Sequence, residues 1–207
     1  MSAVTSDSDL ANRFLALHRP GQPLLLPNPW DIGSARLLAS MDFAALATTS
    51  SGYAATLGRQ DGSVTREEAI AHAAAIAAAT PLPVTADLEK GFADDPAGVA
   101  DTIARLQRYA EAGADVLYAP GLSRASDIRD VVSAVDRPVN VLAFAGAPTV
   151  AELADLGVAR ISVGGAFTFA ALGALIEAAR ELQTEGTYGY LRAARTGRQL
   201  SGQVFPA

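Results

Sequence analysis

Short runs of apolar residues alternate along the whole chain with longer segments in which apolar positions recur at helical spacing. A short apolar run indicates a buried strand, and apolar residues at every third or fourth position indicate an amphipathic helix. Regular alternation of the two is typical of a parallel sheet covered by helices. The pattern predicts strands at residues 24–26, 44–49, 83–88, 115–118, 138–143 and 160–163.

A helix is predicted after each strand. Thr65 and Glu68 have the spacing of a capping box at the start of an alanine-rich helix. Pro96 suits the first turn of the next helix, and Gly113 suits its end. Residues 50–62 are predicted to form a loop. The predicted helices are 34–41, 66–79, about 95–112, 126–135, 149–156 and 167–184, with a further helical piece in the tail 188–207.

Composition narrows the class of protein. The 207 residues suit a single domain, 1–207, and 50% hydrophobic residues suffice for a packed core. A net charge of −6 without basic blocks disfavours a nucleic-acid partner, and the lack of cysteine excludes disulfides and thiolate chemistry. His18 and His72 are expected at the surface or in packing. With no membrane-length apolar run and no signal peptide, we expect a soluble, cytoplasmic protein that binds no membrane.

Two carboxylates lie one residue apart at the end of the third predicted strand, Asp87 and Glu89. Residues i and i+2 of a strand project to the same face, so both would point the same way. The carboxyl ends of parallel strands are where α/β folds assemble their chemistry. A close carboxylate pair binds a hard divalent cation or shares a proton, although a solvated acidic turn fits the pattern equally well.

Other positions at strand ends leave two interpretations open. Trp30 and Asp31 could line a pocket, but Asp31 also fits a helix N-cap. Asn140 points either into a site or into the core. The pairs Gly146-Ala147 and Gly164-Gly165 follow the last two strands, where they could form phosphate-binding loops or serve close packing.

Several stretches together resemble the isocitrate lyase/phosphoenolpyruvate mutase superfamily, in particular its carboxyvinyl-carboxyphosphonate phosphorylmutase and methylisocitrate-lyase-like branch. The resemblance implies a (β/α) barrel of the TIM type, with a C-terminal helix exchanged between subunits of a homo-oligomer. It also implies Mg²⁺, with Mn²⁺ as a substitute, and cleavage of a C–C or C–P bond in a small carboxylate through an enolate. The matching stretches are 26–36, 47–52, 57–62, 84–92, 112–122, 138–142 and 160–166.

The resemblance also implies roles for individual residues. Ser50, Ser51 and Gly52 match the loop that binds the substrate carboxylate. Asp61 matches an acidic catalytic residue, and Asp87 matches a metal ligand. Thr85 stands where many relatives have another metal-binding aspartate, a role that Glu89 could take. Trp30 and Asn140 are further candidates for substrate contact.

Two β/α units of the family pattern are missing, with the seam near Asp101-Thr102. We therefore expect a shortened barrel of about six parallel strands, closed or open, with the tail 187–207 available for exchange. The missing segment would carry an acidic pair, a gating loop and an arginine that clamps the substrate. Among the nearby cations Arg59, Lys90 and Arg124, Lys90 is the best substitute for the arginine, although a solvated turn lysine is the simpler interpretation.

Three functions remain open at this point. The first is a Mg²⁺-dependent lyase or mutase for a small 2-oxo or 2-hydroxy carboxylate. The second is a catalytically degenerate relative that serves as a binding or oligomerisation module. The third is a barrel enzyme that binds a phosphate ester through its last glycine-containing loops.

Overall fold

A computed structural model describes residues 7–87, 99–111 and 113–206 of the chain. These residues form, in order, α1 (Asp7–Ala16), β1 (Leu24–Leu26), α2 (Ile32–Ala39), β2 (Leu46–Ala47), α3 (Ser50–Thr56), α4 (Arg66–Ala78), β3 (Val84–Thr85), α5 (Val99–Glu111), β4 (Leu117–Tyr118), α6 (Ala125–Ala134), β5 (Val139–Leu142), α7 (Val150–Asp155), β6 (Arg160–Ser162), α8 (Ala166–Thr184) and α9 (Leu191–Val204). The chain divides into two compact units. Unit 1 comprises Met1–Pro27 and Glu89–Val163, and unit 2 comprises Asn28–Leu88 and Gly164–Ala207.

Unit 1 contains a four-stranded parallel sheet in the order β1-β6-β5-β4. Val139, Val141 and Ile161 face the helices, because they are buried in two apolar clusters with residues of α5, α6 and α7. Successive residues of a strand point to opposite faces. The register therefore puts Arg160 and its cross-strand neighbour Asn140 on the other face of this sheet.

Unit 2 contains the parallel pair β2 and β3, with Leu46 opposite Val84 and Ala47 opposite Thr85. Leu46 is fully buried against α2 and α4, and Val84 packs against the same cluster. Because Val84 faces these helices, Thr85 lies on the opposite face of the pair. Asp87 follows two residues later.

The α/β class with parallel strands is confirmed, and the described residues contain a strand inside each of the six predicted segments. Most of these strands are shorter than predicted, because hydrogen-bonded pairing ends before the apolar run does. The predicted capping box is also confirmed: Thr65 Oγ1 accepts from Glu68 N at 3.2 Å, and Glu68 Oε2 accepts from Thr65 N at 2.9 Å.

Two helices differ from the sequence-based expectation. Residues 50–56 form α3 instead of a loop, because Thr49 caps the first turn by accepting from Gly52 N at 3.2 Å. The helix α1 was not predicted at all. No helix in the described ranges is long and apolar enough to span a membrane.

Candidate active site

Asp87 and Ser50 meet at the carboxyl ends of the paired strands β2 and β3. Asp87 Oδ2 accepts hydrogen bonds from both the backbone N–H and the hydroxyl of Ser50, each at 3.1 Å. Ser50 is the first residue of α3, so the carboxylate lies at the positive end of this short helix. These contacts hold the carboxylate in one orientation.

Thr48 connects the two strand ends. Its hydroxyl accepts from Asp87 N at 2.7 Å, and its own N–H donates to Thr85 O at 2.9 Å. Thr48 is almost fully buried, so these bonds are shielded from water. The backbone at Asp87 is therefore fixed by side-chain and main-chain bonds from the neighbouring strand end.

Asn28 joins two further segments of unit 2. Its Nδ2 donates to Thr48 O at 2.8 Å, and its Oδ1 accepts from Gly164 N at 3.0 Å. The side chain is only 4% exposed. One buried amide thus ties the Gly164 turn, whose φ is +53°, to the segment that carries Ser50.

The first turn of α3 is packed without spare room. A Cβ added at Gly52 would lie 2.5 Å from both Thr168 Oγ1 and Thr49 Cγ2. A Cβ at Gly165 would overlap Ser51 Oγ. The buried Thr168 hydroxyl has no hydrogen-bond partner among the described residues. These two positions favour glycine because neighbouring side chains approach its backbone too closely for a Cβ to fit.

Asp31 acts as a helix cap. Its Oδ1 accepts from Ser34 N at 2.7 Å, and Ser34 Oγ accepts from Asp31 N at 3.1 Å, which is a capping box at the start of α2. The preceding Trp30 has its carbonyl 3.0 Å from His72 Nε2. Because a carbonyl oxygen only accepts, His72 Nε2 carries the proton of this bond. Burial lowers the pKa of His72, which favours the neutral ring. His72 also stacks on Tyr53 of α3, with ring centroids 3.9 Å apart.

The structure brings Ser50, Ser51, Gly52 and Asp87 together, but Asp61 makes different contacts. Asp61 is exposed in a turn, where its Oδ1 accepts from Gly62 N at 3.0 Å. Asn140 belongs to unit 1, where it is buried and donates to Ser162 Oγ at 3.1 Å. The predicted ligand Glu89 and the predicted catalytic residue Lys90 lie outside the described residues.

The two other cations considered from the sequence are engaged locally. Arg59 Nη1 pairs with Glu68 at 2.9 Å, and Arg124 Nε pairs with Asp127 at 2.9 Å. Both are exposed ion pairs, which hold a side chain only weakly. Neither arginine contacts Asp87 or Ser50 within the part of the chain that the structure describes.

Sequence reasoning gave no separate role to Asn28, Thr48 or Thr168, although all three are buried near Ser50 and Gly52. One signal was present for Asn28. A polar residue between Pro27 and Pro29 at the end of an apolar strand cannot continue the strand, and its amide is well suited to bond neighbouring backbone groups.

No group of three or more His, Cys, Asp or Glu residues suited to a metal ion occurs among the described residues. Mg²⁺ does not require such a group, because it usually keeps several waters and takes one or two carboxylates together with substrate oxygens. The side-chain atoms near Asp87 that could ligate a metal are carboxylate and hydroxyl oxygens, which match a hard cation. The described residues thus fit Mg²⁺ with one protein carboxylate.

Parallel strands that alternate with helices, and a carboxylate-and-hydroxyl cluster at the ends of two strands, define an α/β protein with a strand-end site. The family described as phosphoenolpyruvate phosphomutase matches residues 14–106 and 95–183. The chain belongs to this family.

Individual proteins and solved structures are also similar to this chain. A protein of Mycobacterium tuberculosis (strain ATCC 25618 / H37Rv) named as uncharacterized is 30% identical in an alignment 229 positions long, which covers 81% of this chain and 87% of its own. A crystal structure named "putative lyase/mutase" from Burkholderia cenocepacia J2315 is 38% identical, with a TM-score of 0.85, and covers 92% of this chain and 94% of its own. A phosphonopyruvate hydrolase complex with oxalate and Mg²⁺ shares the fold at 17% identity, with a TM-score of 0.76 over 93% of this chain and 94% of its own.

Proposed function

We propose that this protein is a Mg²⁺-dependent lyase or mutase that acts on a small 2-oxo or 2-hydroxy carboxylate through an enolate. The observation that carries the proposal is the Asp87 carboxylate, which Ser50 holds at the ends of two neighbouring parallel strands. Membership in the phosphoenolpyruvate phosphomutase family supports the reaction type. A protein of the same fold, a phosphonopyruvate hydrolase, is named as a complex with oxalate and Mg²⁺. Oxalate is a dianion that resembles the enolate of pyruvate in shape and charge.

Asp87 would hold the metal, together with Glu89 outside the described residues. The ion would supply positive charge to the oxygen on which the enolate develops, and Mn²⁺ could replace it. Ser50 would keep the carboxylate oriented through its two hydrogen bonds. This preorganisation matters because a ligand already held in position costs less to order when the ion binds.

Ser51 is the best donor in α3 for the substrate carboxylate. The N–H groups of Ser50 and Gly52 are used by Asp87 and Thr49. The Ser51 N–H has no acceptor among the described residues, as is usual in the first turn of a helix. A carboxylate at this point would also benefit from the helix N-terminus. Trp30 and Asn140 remain proposed substrate contacts.

Asp61 and Lys90 are the proposed groups for moving protons. Asp61 is solvent-exposed, so it can exchange protons with water without a relay. Lys90 follows the proposed metal ligands in the sequence and would add a positive charge near the substrate carboxylate. A proton donor or acceptor at the carbon or oxygen of the enolate typically contributes a factor of about 10²–10⁴ to the rate.

Calorimetric titration with Mg²⁺, followed by oxalate, tests the metal site. We expect oxalate to bind only when Mg²⁺ is present. We expect the Asp87→Asn variant to lose this Mg²⁺-dependent binding of oxalate. Asp136→Asn is the matched control, since the Asp136 side chain is 81% exposed and outside the proposed site. Oxalate binding of equal strength with Mg²⁺ and with EDTA would contradict the proposal.

Turnover is tested separately with oxaloacetate, 2,3-dimethylmalate and phosphonopyruvate. Release of product from any of them with Mg²⁺, and its loss in Asp87→Asn, would support a lyase or mutase. Mg²⁺-dependent oxalate binding without turnover of any of the three would instead favour the catalytically degenerate binding module.

We also propose a homo-oligomer in which the tail 187–207 exchanges between subunits. The support is the large apolar side chains that α8 leaves in solvent, among them Phe169 (54% exposed) and Leu175 (65% exposed). Exposed apolar surface of this kind is typical of interfaces. Light scattering coupled to size exclusion should give a mass of at least two chains, and a monomer at micromolar concentration would contradict this.

A further inference from the structure

Arg160 lies on the face of the unit 1 sheet that points away from the helices. Its Nε donates to Asn140 Oδ1 at 2.9 Å, and Asn140 in turn donates to Ser162 Oγ at 3.1 Å. Asn140 is opposite Arg160 in the ladder, and Tyr118 is opposite Asn140 on the next strand. The three residues therefore form a polar row across neighbouring strands.

His18 is the second partner of Arg160. Its Nδ1 is 2.9 Å from Phe14 O, so we assign the proton to Nδ1, which donates to this carbonyl. The lone pair of Nε2 then accepts from Arg160 Nη1 at 3.5 Å. Burial and the positive charge of Arg160 lower the pKa of His18, which keeps the ring neutral.

The guanidinium charge thus has only neutral hydrogen-bond acceptors among the described residues. Burial lowers the pKa of Arg160 to about 10, so the group is still charged at neutral pH. A guanidinium also has more N–H donors than Asn140 and His18 can satisfy. Burying a cation without a countercharge is costly, and an anion that enters the site would remove the cost.

We propose that Arg160 is the anchor of an anion-binding site in unit 1 that takes a small oxyanion, a carboxylate or a phosphate, with Asn140 and His18 orienting the guanidinium. Two parallel N–H groups of a guanidinium match the paired oxygens of either anion. Access is available because Arg160 keeps partial solvent exposure and Tyr118, in the same row, is 38% exposed. The residues of this site lie within unit 1, and the inference does not rest on the proposed function, in which Asn140 alone of them has a part.

The orientation of Arg160 supports this role. Its Nε and one Nη1 proton are directed to Asn140 and His18, which fixes the plane of the guanidinium. The remaining N–H groups then point in a defined direction. A donor pair with a fixed plane binds an oxyanion with less loss of side-chain entropy than a mobile surface arginine does.

The test follows the Nε–H resonance of Arg160 in ¹H–¹⁵N spectra of the full chain, with EDTA present to exclude metal effects. Sodium phosphate, sodium acetate and sodium chloride are titrated at matched ionic strength. We expect a saturable shift of this resonance with phosphate or acetate, and none with chloride. The stronger of the two oxyanions identifies the site as phosphate-binding or carboxylate-binding. Equal responses to all three salts would overturn the proposal.

Variants add a second readout, the rise in Tm with added phosphate or acetate. In Arg160→Gln we expect the oxyanion affinity to fall about tenfold or more, as for loss of a charge-assisted pair. Arg160→Lys keeps a cation and guards against a folding defect: it should retain part of the effect. Arg137→Gln, an exposed arginine, is the control and should bind as wild type does.

Asp87→Asn separates this site from the proposed active site. Oxyanion binding in EDTA should be unchanged in Asp87→Asn, because the anchor is Arg160. If Asp87→Asn removes the oxyanion binding and Arg160→Gln does not, the anion binds near Asp87 and Ser50 in unit 2, and the inference is wrong. If only the Mg²⁺-dependent oxalate binding fails, the proposed function falls and this inference stands.

Discussion

Replacing Gly52 with alanine should destabilise the protein, although alanine is the better helix former. Gly52 lies in the first turn of α3, and its added methyl group would lie 2.5 Å from Thr168 Oγ1 and from Thr49 Cγ2. Trp30 Cβ would be 3.2 Å away. These distances are shorter than van der Waals contact, so atoms must move.

The neighbours of Gly52 have little freedom to move. Thr168 and Thr49 are nearly fully buried, and both are β-branched, which restricts their side-chain rotation. Overpacking of this kind costs about 1–3 kcal/mol. The helix propensity of alanine returns at most about 1 kcal/mol, and less in a helix as short as α3. We therefore expect a net loss of about 1–2 kcal/mol, or a Tm lower by about 2–8 °C in a chain of this size.

Gly173→Ala is the matched control. Gly173 lies in the interior of α8, where a Cβ would have nothing within 4 Å. Without a clash only the propensity term remains, and we expect a stabilisation of up to about 1 kcal/mol. Thermal unfolding of the two variants should thus give shifts of opposite sign. A Tm for Gly52→Ala equal to or above that of the wild type would refute the packing argument.

Three further predictions concern other parts of the fold. Asn28→Ala should lower the free energy of unfolding in urea by about 2 kcal/mol or more, because it leaves the carbonyl of Thr48 and the N–H of Gly164 without their partner. A loss below about 0.5 kcal/mol would count against this role of Asn28. Burial lowers the pKa of His18 and His72 below the unfolded value of 6.5, so the unfolded chain binds more protons than the folded one. The free energy of unfolding should therefore fall as the pH drops through 6.5. His72→Gln should reduce the change in unfolding free energy with pH between pH 7.5 and 5.5. Glu181→Ala should speed amide hydrogen exchange at Gly189, because the N–H of Gly189 donates a hydrogen bond to the Glu181 carboxylate. An unchanged exchange rate at Gly189 would contradict this.

The sequence predicted the fold well where the signal was local. The strands around Leu46 and Val141 appear as apolar runs, and the start of α4 is marked by the capping box of Thr65. Such features depend on residues close together in the chain. The helix α3 was missed because Ser50-Ser51-Gly52 has low helix propensity, and it forms here with the cap of Thr49 and packing against α8.

The candidate site was only partly predictable, for a different physical reason. The contact between Ser50 and Asp87 follows from the pairing of β2 with β3, and the resemblance to known motifs pointed to both residues. The bridge from Asn28 to Thr48 and Gly164 joins positions far apart in sequence. No local pattern encodes such a bridge. The resemblance suggested a role for Asp61, and the strand pattern left Asn140 open between a site and the core; both roles remain predictions.

The seam predicted near residues 101–102 bears on how a chain without two family units could keep a folded unit 1. The two stretches that match the family overlap at residues 95–106, as expected if the third and fifth family helices were joined here. Such a fusion keeps a buried face only if the helical phase continues across the seam, because each residue turns the face by about 100°. On the C-terminal side of the seam α5 presents one buried face: Ile103, Leu106 and Ala110 recur at helical spacing and pack on one apolar cluster with Leu117. A fusion that kept this phase would leave the packing of α5 in unit 1 intact, because the buried face of the helix would stay directed at the same cluster.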